Sequence, residues 1–399
     1  MEHAVRWLHR IMLASGPVLL VLAAACTPGA APAALPTSAL AARPAPASPG
    51  VAAAASPTTP PAASPAATAS PVAAGQPSGT LRTVKVGTLP VIGMAPFIIG
   101  QQKGYFAQEG LELEFVNFQS GAEMVAPLST GQLDAAVNVA PNAGLVNAIA
   151  RGLAVKIVAD NGSIQAGRNV GSFIIRKDLQ TGTDFADLSR LDRPVRAAAT
   201  AEGNLPHALV LLTLQQAGVP VDQVEMTFLG LPDMNVAFAN RRLDFGASGE
   251  PLITIGEQTG QVARWKPMYD LFPGILYSAM LYGPNLLEKD KDLGTRLMRV
   301  YLRGTRDFED AVSRNRDRAS IVGMLVGPLR MTPELFEQLQ SRGGMVYIDP
   351  DGRGDPNTLK PVLDFWARTG TIGQSVDPKT LVDFTAVEAA LKDLGPYPR

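Results

Sequence analysis

The chain has 399 residues, of which 46% are hydrophobic and 18% charged, so it is long enough for two or three domains with a large core. The formal net charge is −1, which leaves no basic excess to hold nucleic acid. A single cysteine excludes an internal disulfide bond. The sequence contains neither a P-loop nor a glycine-rich dinucleotide fingerprint. We therefore expect no nucleic-acid partner and no cofactor.

Residues 1–25 have the pattern of an export signal. Residues 1–10 carry two Arg and two His, and residues 11–25 are uncharged, mostly apolar and too short for a comfortable membrane span. The small residues before Cys26 resemble the lipobox of bacterial lipoproteins, although Ala23 stands where a large aliphatic residue is usual. The resemblance implies that Cys26 becomes lipidated and anchors the mature chain to a membrane. The alternative is an ordinary cleavage site beside an incidental cysteine.

Residues 26–80 form a segment of low complexity. After Cys26 the segment consists almost wholly of Ala, Pro, Ser, Thr and Gly, and Arg43 is its only charge. Such a composition cannot bury enough apolar surface to offset the loss of chain entropy. We predict a disordered, extended tether. A glycosylated adhesin stalk would have the same composition.

The folded body begins at residue 81 with alternating strands and helices. The predicted strands are 84–89, 111–118 and 135–139, and the predicted helices are 96–104 and 120–131. This β-α-β-α order is typical of a parallel sheet covered by helices, in which ligands bind beyond the carboxyl ends of the strands. Pro127 lies inside the second predicted helix and should kink it.

Three short motifs in this stretch identify a family resemblance. They are Gly104-Tyr105-Phe106, Glu109-Gly110-Leu111 and Gly131-Gln132-Leu133-Asp134. With this spacing they resemble bacterial ABC-transporter solute-binding proteins, in particular the binders of nitrate, sulfonates, taurine and thiamine-precursor pyrimidines. The resemblance covers residues 81–399. It implies an α/β fold of the type II periplasmic-binding-protein kind, with two lobes, each a mainly parallel sheet flanked by helices, and a ligand cleft between them.

A second α/β set follows the first. Further predicted strands are 155–159, 172–175, 195–199, 225–229, 245–248 and 275–281, further predicted helices are 142–150, 205–217, 232–239 and 286–313, and residues 160–163 read as a turn. The resemblance implies that lobe 1 comprises residues 81–175 and 275–399, the latter with the C-terminal helices. Lobe 2 would be an insertion of residues 176–274, and the lobes would close over the ligand by a hinge.

We expect the ligand to contact the loops that leave strands and open helices, because helix N-termini present free N–H groups and a partial positive charge. The candidate ligand-binding residues are Pro90, Met94, Phe97, Ser120, Gly121, Asn138, Asn142, Thr200, Glu202, Gly203, Asn204, Glu250 and Tyr277. Ser120, Asn142 and Thr200 also suit the N-cap position of a helix, which is the structural alternative for each.

Two carboxylates stand out among the candidates, Glu202 and Glu250. The step Gly249-Glu250-Pro251 resembles a family position at which an acidic or aromatic residue precedes proline at the cleft. A carboxylate there would accept hydrogen bonds from an amine or amide of the ligand. The alternative is an acid in the first turn of a helix, where it balances the helix dipole.

Aromatic and basic side chains give weaker indications. Phe97, Trp265 and Tyr277 suit either stacking on a planar ligand or a place in the core. Arg168 suits either an anion contact or a solvated loop. His207 is the only histidine after residue 80, and no cysteine accompanies it, so a zinc site or a Cys–His nucleophile pair cannot be built there.

The favoured function is that of a lipid-anchored solute-binding protein that hands a small molecule to the transmembrane subunits of an ABC permease, and we expect a monomer. The scarcity of Lys and Arg in the predicted loops disfavours a multiply charged anion, and the two candidate carboxylates favour an amine-bearing or heteroaromatic ligand. A pyrimidine or amine-bearing ligand and a sulfonate-like or nitrate-like one both stay open. The alternatives are an envelope sensor or adhesin of the same fold and, less favoured, a small-molecule enzyme such as a dehydratase or pyrimidine synthase. Enzymes of that last kind use cysteines and histidines that this body lacks.

Overall fold

The structure is a computed structural model that describes residues 81–169, 171–181 and 186–398. The predicted export signal, the lipidation of Cys26 and the tether fall on residues 1–80, outside the described residues. The strands are β1 Arg82–Thr88, β2 Leu111–Asn117, β3 Ala135–Val139, β4 Lys156–Ser163, β5 Gly171–Arg176, β6 Val195–Ala199, β7 Val224–Phe228, β8 Phe245–Gly249, β9 Val262–Pro267 and β10 Leu276–Tyr282.

Helices cover both sheets. They are α1 Ala95–Gln102, α2 Tyr105–Gln108, α3 Val125–Ser129, α4 Ala143–Ala150, α5 Ala186–Ser189, α6 Leu205–Gln216, α7 Leu231–Ala239, α8 Leu252–Gln258, α9 Met268–Leu271, α10 Lys291–Arg314, α11 Arg318–Val326, α12 Pro333–Ser341, α13 Lys360–Arg368 and α14 Thr385–Leu394. Short 3₁₀ turns span Ile92–Met94, Ala122–Met124, Lys177–Leu179, Val221–Gln223, Pro356–Leu359 and Pro378–Leu381, and a π-helical turn spans Asn285–Lys289.

The first sheet has the strand order β2-β1-β3-β10-β4. β1 is parallel to β2 and β3, whereas β10 is antiparallel to both β3 and β4. All five residues of β3 are buried, as expected for a central strand covered on both faces. We call the part of the molecule built on this sheet the first lobe.

The second sheet has the order β7-β6-β8-β5-β9. β6 is parallel to β7 and β8, and β5 runs antiparallel between β8 and β9. We call the part built on this sheet the second lobe. The expected architecture of two mainly parallel sheets flanked by helices is confirmed, and each sheet is mixed because it contains an antiparallel strand.

The strand pairing corrects several predictions. Residues 172–175, assigned to lobe 1, belong to β5 and pair within the second sheet. Residues 160–163, read as a turn, extend β4, and β9 was not predicted at all. The helix of Pro127 begins only at Val125, so the proline falls in the first turn, where a missing N–H is tolerated and no kink is required.

The long helix α10 organises the core of the first lobe. It packs against α1, where the Phe97 and Tyr301 rings lie 5.3 Å apart between centroids. Gly304 makes this close approach possible, since a Cβ there would lie 2.0 Å from the carbonyl oxygen of Pro96. Among the residues that the structure describes, no helix is both long and apolar enough to span a membrane.

The two lobes touch where α4 and α6 begin. The Ala143 N–H donates to the Gly203 carbonyl at 2.8 Å, and the Leu205 N–H donates to the Pro141 carbonyl at 2.9 Å. The two helix caps, Asn142 and Asn204, form an antiparallel bridge between these bonds. The start of one helix from each lobe is therefore fixed beside the other.

Candidate functional site

A cavity with two adjoining chambers lies between the lobes. The larger chamber has a volume of about 190 Å³ and the smaller one about 100 Å³. Both chambers are lined by Leu89, Val91, Asn138, Ala140, Thr200 and Leu231. The larger chamber adds Pro90, Phe118, Gln119, Ser120, Gly121, Ala122, Asn204, Gly230, Pro232 and Leu252. The smaller one adds Gly93, Asn161, Pro206, Ala247, Gly249, Glu250, Tyr277, Ser278 and Val346.

The lining follows from the direction of the strands. The loops after β1, β2 and β3 supply the first-lobe wall, and the loops after β6, β7 and β8 supply the second-lobe wall. These six strands end at the cavity, which is the place that a parallel sheet offers to a ligand. The lining is mostly apolar with a few polar groups, a composition common to small-molecule sites.

Asn138 lies at the boundary of the two chambers and is buried. Its side-chain Nδ2 donates to Thr88 Oγ1 at 3.0 Å and to the Leu89 carbonyl at 3.3 Å. Its backbone is left-handed, with φ of 61°, a conformation that asparagine tolerates better than most residues. The Asn138 N–H donates to Asn161 Oδ1 at 2.8 Å, which helps to hold this conformation.

Asn161 connects Asn138 to the interior of the first lobe. Its Nδ2 donates to the Gly93 carbonyl at 2.9 Å and to the Tyr301 hydroxyl at 3.1 Å, while its Oδ1 also accepts from Ser278 Oγ at 3.3 Å. The Tyr301 hydroxyl in turn donates to the Asp160 carbonyl at 2.6 Å. The cavity wall is thus continuous with a buried network of neutral hydrogen bonds.

Asp160 lies at the inner end of this network and is fully buried. Its carboxylate accepts from the Asp349 N–H at 2.7 Å, from Ser163 Oγ at 2.8 Å and from the Gly162 N–H at 3.2 Å. Burial raises the pKa of Asp160 to about 7, against the opposing effect of these three hydrogen bonds. The bond from Asp349 attaches the loop that follows Val346, a residue of the smaller chamber, to β4.

Thr200 and Asn204 form the polar part of the second-lobe wall. Asn204 caps α6, since its side chain accepts from the His207 N–H at 2.8 Å, and its Nδ2 donates to Thr200 Oγ1 at 2.6 Å. The Thr200 hydroxyl proton then remains available toward the cavity. His207 itself is off the lining: its Nδ1 accepts from the Gly203 N–H at 3.0 Å, and burial lowers its pKa.

Glu250 is the only charged residue among those that line the two chambers. It is 1% exposed, accepts from the Thr254 N–H at 3.1 Å and is ion-paired with Arg264. Arg264 also contacts Glu257 Oε2 at 3.3 Å and Thr254 Oγ1 at 3.1 Å. The carboxylate predicted to face the ligand therefore already has a cationic partner from β9.

The Tyr277 hydroxyl has no hydrogen-bond partner within the part of the chain that the structure describes. Its ring packs beside Gly171, where an added Cβ would lie 3.2 Å from the hydroxyl oxygen. Burial raises its pKa, so the group is a neutral phenol at physiological pH. It can both donate to and accept from a molecule in the smaller chamber.

The structure places the predicted site residues in two groups. Those on the cavity lining are Pro90, Ser120, Gly121, Asn138, Thr200, Asn204, Glu250 and Tyr277. Those off the lining are Met94, Phe97, Asn142, Glu202 and Gly203. Phe97 is fully buried in the first-lobe core with Phe106 and Tyr301, which is the structural alternative for this residue.

Among the remaining residues of the second group, Asn142 caps α4 by accepting from the Leu145 N–H at 2.8 Å, and Glu202 is exposed. Met94 is buried in the first-lobe core, and the Gly203 carbonyl accepts from the Ala143 N–H. Arg168, considered for an anion contact, is paired with Glu309 at 2.8 Å. Trp265 is 4% exposed and packs edge-on against Phe245, with 5.5 Å between the ring centroids.

Several lining residues were not predicted. Gly230, Leu231 and Pro232 follow a predicted strand and open a helix, so the rule applied to Thr200 would have found them. Asn161 was missed because its segment was read as a turn. Ser278 and Val346 come from segments that contact the cavity only through the tertiary fold, and no local signal indicates them.

The fold is that of the periplasmic binding proteins. A solved ligand-binding component of an ABC-type import system from Staphylococcus aureus superposes with a TM-score of 0.61 at 15% identity, over 77% of this chain and 99% of the other. The periplasmic nitrate-binding protein NrtA from Synechocystis PCC 6803 superposes with a TM-score of 0.65 at 16% identity, over 79% and 89%. A desulfurization enzyme, DSZB, also has this fold, with a TM-score of 0.53 at 15% identity, over 78% and 99%.

The chain belongs to the NMT1-like family, whose model matches residues 78–319. The bicarbonate-binding protein CmpA of Synechococcus elongatus is 46% identical over 44 residues. That alignment spans 11% of this chain and only 10% of the curated relative's length. The family and the fold are thereby established, and the solute is a separate question.

Proposed function

We propose that this protein is the extracytoplasmic solute-binding component of an ABC importer, which captures a small organic molecule and delivers it to a membrane permease. The proposal rests on the cavity, which both lobes line with the loops at their strand ends. Membership of the NMT1-like family and the names of the similar proteins support the same class of function.

The charge distribution around the cavity favours a ligand other than a multiply charged anion. Among the lining residues there is no Lys or Arg, and the one charge, on Glu250, is already paired with Arg264. The bicarbonate and nitrate named for the similar proteins are singly charged inorganic anions, and the small organic molecule proposed here would differ from both. Because β5 pairs in the second sheet, residues 81–170 and 275–399 would form lobe 1 and residues 171–274 lobe 2.

The envelope part of the proposal concerns residues 1–80. An export signal over 1–25, a lipid on Cys26 and a tether over 26–80 would hold the monomeric body at the outer face of the cytoplasmic membrane. Lobe closure around the ligand would then present both lobes to the transmembrane subunits of the permease. Globomycin inhibition of lipoprotein processing, followed by mass spectrometry of the first residue, tests the anchor independently of the ligand.

Enzyme activity is the weaker alternative, and the similarity to a desulfurization enzyme is its only support. Within the described residues that line the cavity there is no cysteine or histidine to act as nucleophile or base. A sensor or adhesin of this fold would bind ligand in the same cavity. It would differ only in having no permease partner.

Ligand-dependent stabilisation of the full chain in detergent tests the function. A panel of sulfonates, nitrate, bicarbonate, pyrimidines, flavins and amines would be screened by thermal shift, since a ligand at 100 times its Kd stabilises by about 2.7 kcal/mol. Leu231→Trp should abolish a hit because Leu231 borders both chambers. Leu153→Trp is the matched control on an exposed site.

Two results would contradict the importer function. One is a hit that survives Leu231→Trp unchanged, because the ligand would then bind elsewhere. The other is turnover of the hit to a product, which would support the enzyme alternative. A hit that promotes binding of the protein to a permease in proteoliposomes separates the importer from the sensor or adhesin.

A further inference from the structure

We propose that the cavity selects an uncharged planar ligand through its N–H donors, and that Asn138 Oδ1 is the specificity-determining acceptor that recognises them. This inference rests on the proposed solute-binding function and specifies the chemistry of the solute.

The orientation of the Asn138 amide is fixed by the groups beneath it. The Leu89 carbonyl can only accept a hydrogen bond, so the amide atom that faces it must be Nδ2. Thr88 Oγ1, which donates its own proton to the same carbonyl at 3.2 Å, accepts the second amide proton. Oδ1 therefore points away from this pair, and no group in the described residues donates to it.

Gly93 provides the space for this free acceptor. A Cβ at Gly93 would lie 2.0 Å from Asn138 Oδ1, so the oxygen occupies the volume that any side chain there would take. Gly93 and Asn138 both line the smaller chamber. Because Asn138 is only 7% exposed, a ligand that lacks a donor would leave a buried acceptor without a partner. Discrimination between a donor and its apolar isostere follows from that penalty.

Anions are disfavoured because two of the helix starts at the larger chamber have their own carboxylates. Glu123 accepts from Ser120 Oγ at 2.9 Å and from the Gln119 N–H at 3.4 Å, in the short turn that precedes α3. Asp233 occupies the first turn of α7, whose start contributes Gly230 and Leu231 to the lining. These acids offset the partial positive charge of these two helix starts.

Cations are disfavoured because Glu250 is paired. Its ion pair with Arg264 leaves the smaller chamber close to electrical neutrality, so a cation would lose its hydration without gaining an unpaired opposite charge. The polar groups still available are the Asn138 oxygen and the hydroxyls of Thr200 and Tyr277. A neutral molecule with N–H donors, an acceptor and a flat apolar body matches this set.

Four probes of nearly the same shape separate these possibilities: benzamide, acetophenone, benzoate and benzamidinium. Cavities of about 150 Å³ hold a benzene ring, so the larger chamber, of about 190 Å³, is of suitable size. Acetophenone replaces the benzamide NH₂ by a methyl group. Benzoate is an anion without N–H donors, and benzamidinium is a cation with four N–H donors and no carbonyl oxygen. Each Kd would be measured on the full chain in detergent by saturation-transfer NMR at pH 7.5.

We expect benzamide to bind about tenfold more tightly than acetophenone, as for one hydrogen bond gained. Benzamidinium should bind more weakly than benzamide, and benzoate should bind most weakly. Asn138→Gly keeps the left-handed backbone and removes the acceptor, so benzamide and acetophenone should bind to this variant with equal Kd values. Asn315→Gly makes the same change at another left-handed asparagine, with φ of 57°, that lies away from the cavity. This control variant should keep the wild-type ratio of the acetophenone Kd to the benzamide Kd.

Equal binding of benzamide and acetophenone by the wild type would overturn the inference, even if Asn138→Gly failed to fold. Tightest binding of benzoate or benzamidinium would overturn it as well, since the cavity would then recognise a charge. Absence of binding by all four probes would also overturn it. The importer proposal would survive each of these results, because it is tested separately by Leu231→Trp and the permease.

Discussion

Each lobe buries one aspartate at zero exposure, and the two are held by opposite kinds of donor. In the second lobe Asp244 accepts from the guanidinium groups of Arg176, Arg193 and Arg196, at 2.8, 2.6 and 2.9 Å. In the first lobe, within the described residues, the Asp160 carboxyl oxygens accept only from two backbone N–H groups and a serine hydroxyl. One carboxylate is thus surrounded by cations and the other by neutral dipoles.

The difference shows what burial alone does to a carboxyl group. Burial would raise the pKa of both aspartates, but the hydrogen bonds from Arg193 and Arg196 outweigh it at Asp244 and hold that pKa well below its ordinary value. At Asp160 the neutral donors do not outweigh burial, and the pKa is raised to about 7. The two lobes should therefore respond to pH in opposite directions.

The largest effect is expected for Asp244→Asn. This change leaves three guanidinium groups without their shared carboxylate, and losing one partner of a buried ion pair costs about 3–5 kcal/mol of the free energy of unfolding. Because the folded pKa is depressed, the wild-type contribution is present above about pH 4 and is lost as the pH falls below it. Urea denaturation of the wild type and the variant at pH 7 measures the lost stability, and the same comparison at pH 3.5 measures how far the difference shrinks in acid. A loss below about 1 kcal/mol at pH 7 would contradict the ion-pair account.

A smaller effect, of about 2–4 kcal/mol between pH 5 and pH 8, is expected at Asp160. The unfolded chain releases this proton near pH 4 and the folded chain near pH 7, so the wild type loses stability as the pH rises between these values. Asp160→Asn should remove that loss. Urea denaturation of both proteins at the two pH values provides the measurement, and parallel pH dependences would show that Asp160 is ionised in the fold throughout.

Tyr301→Phe should cost about 1–2 kcal/mol at pH 7, because it removes the hydroxyl that connects Asn161 to the Asp160 carbonyl. Tyr277→Phe is the matched control, as its hydroxyl has no partner in the described residues. It should change the free energy of unfolding by no more than about 0.5 kcal/mol. Thermal unfolding of the two variants side by side decides the matter, and equal losses would mean that the network adds no stability.

The smallest effect is expected for Asp178→Asn. Asp178 bonds to Arg176 at 2.6 Å, the same arginine that pairs with Asp244, but its side chain is 44% exposed. Exposed ion pairs contribute about 0.2–1 kcal/mol, so Asp178→Asn should lower the free energy of unfolding by an amount in that range. The decrease should be smaller at high salt, because salt screens exposed charges. Urea titrations at 0.05 and 0.5 M NaCl measure it. A loss comparable to that of Asp244→Asn would show that burial is not what distinguishes the two carboxylates.

Much of the fold could be read from the sequence where burial imposes a simple pattern. The runs 135–139 and 195–199 were predicted with the bounds of β3 and β6, because central strands covered on both faces are mostly apolar. The segment Asp160–Ser163 was wrongly read as a turn, because its polar groups are satisfied by partners far away in the chain, such as Tyr301 and Asp349. The local sequence pattern does not indicate partners that lie so far away in the chain.

The candidate site also has features that the sequence predicts and features that it does not predict. The rule that ligands bind beyond strand ends selected Ser120, Thr200 and Glu250, and these residues lie on the cavity lining. The rule does not predict which face of a helix is buried, and Phe97 points into the core. The ion pair of Glu250 could not be foreseen either, because its partner Arg264 lies on β9, a strand whose sequence VARWKP gives no clear alternation.

The position of β10 has a consequence for the order of events during synthesis. β4 has β10 as its only neighbour in the first sheet, and β10 ends at Tyr282, whereas the second sheet is complete at Pro267. A growing chain can therefore close its second sheet while the first, although begun earlier, still lacks a strand from its middle. Early contacts of β4 must await a segment more than a hundred residues away, and such distant pairings form slowly. A chain that has to cross a membrane before it folds would gain time from this delay.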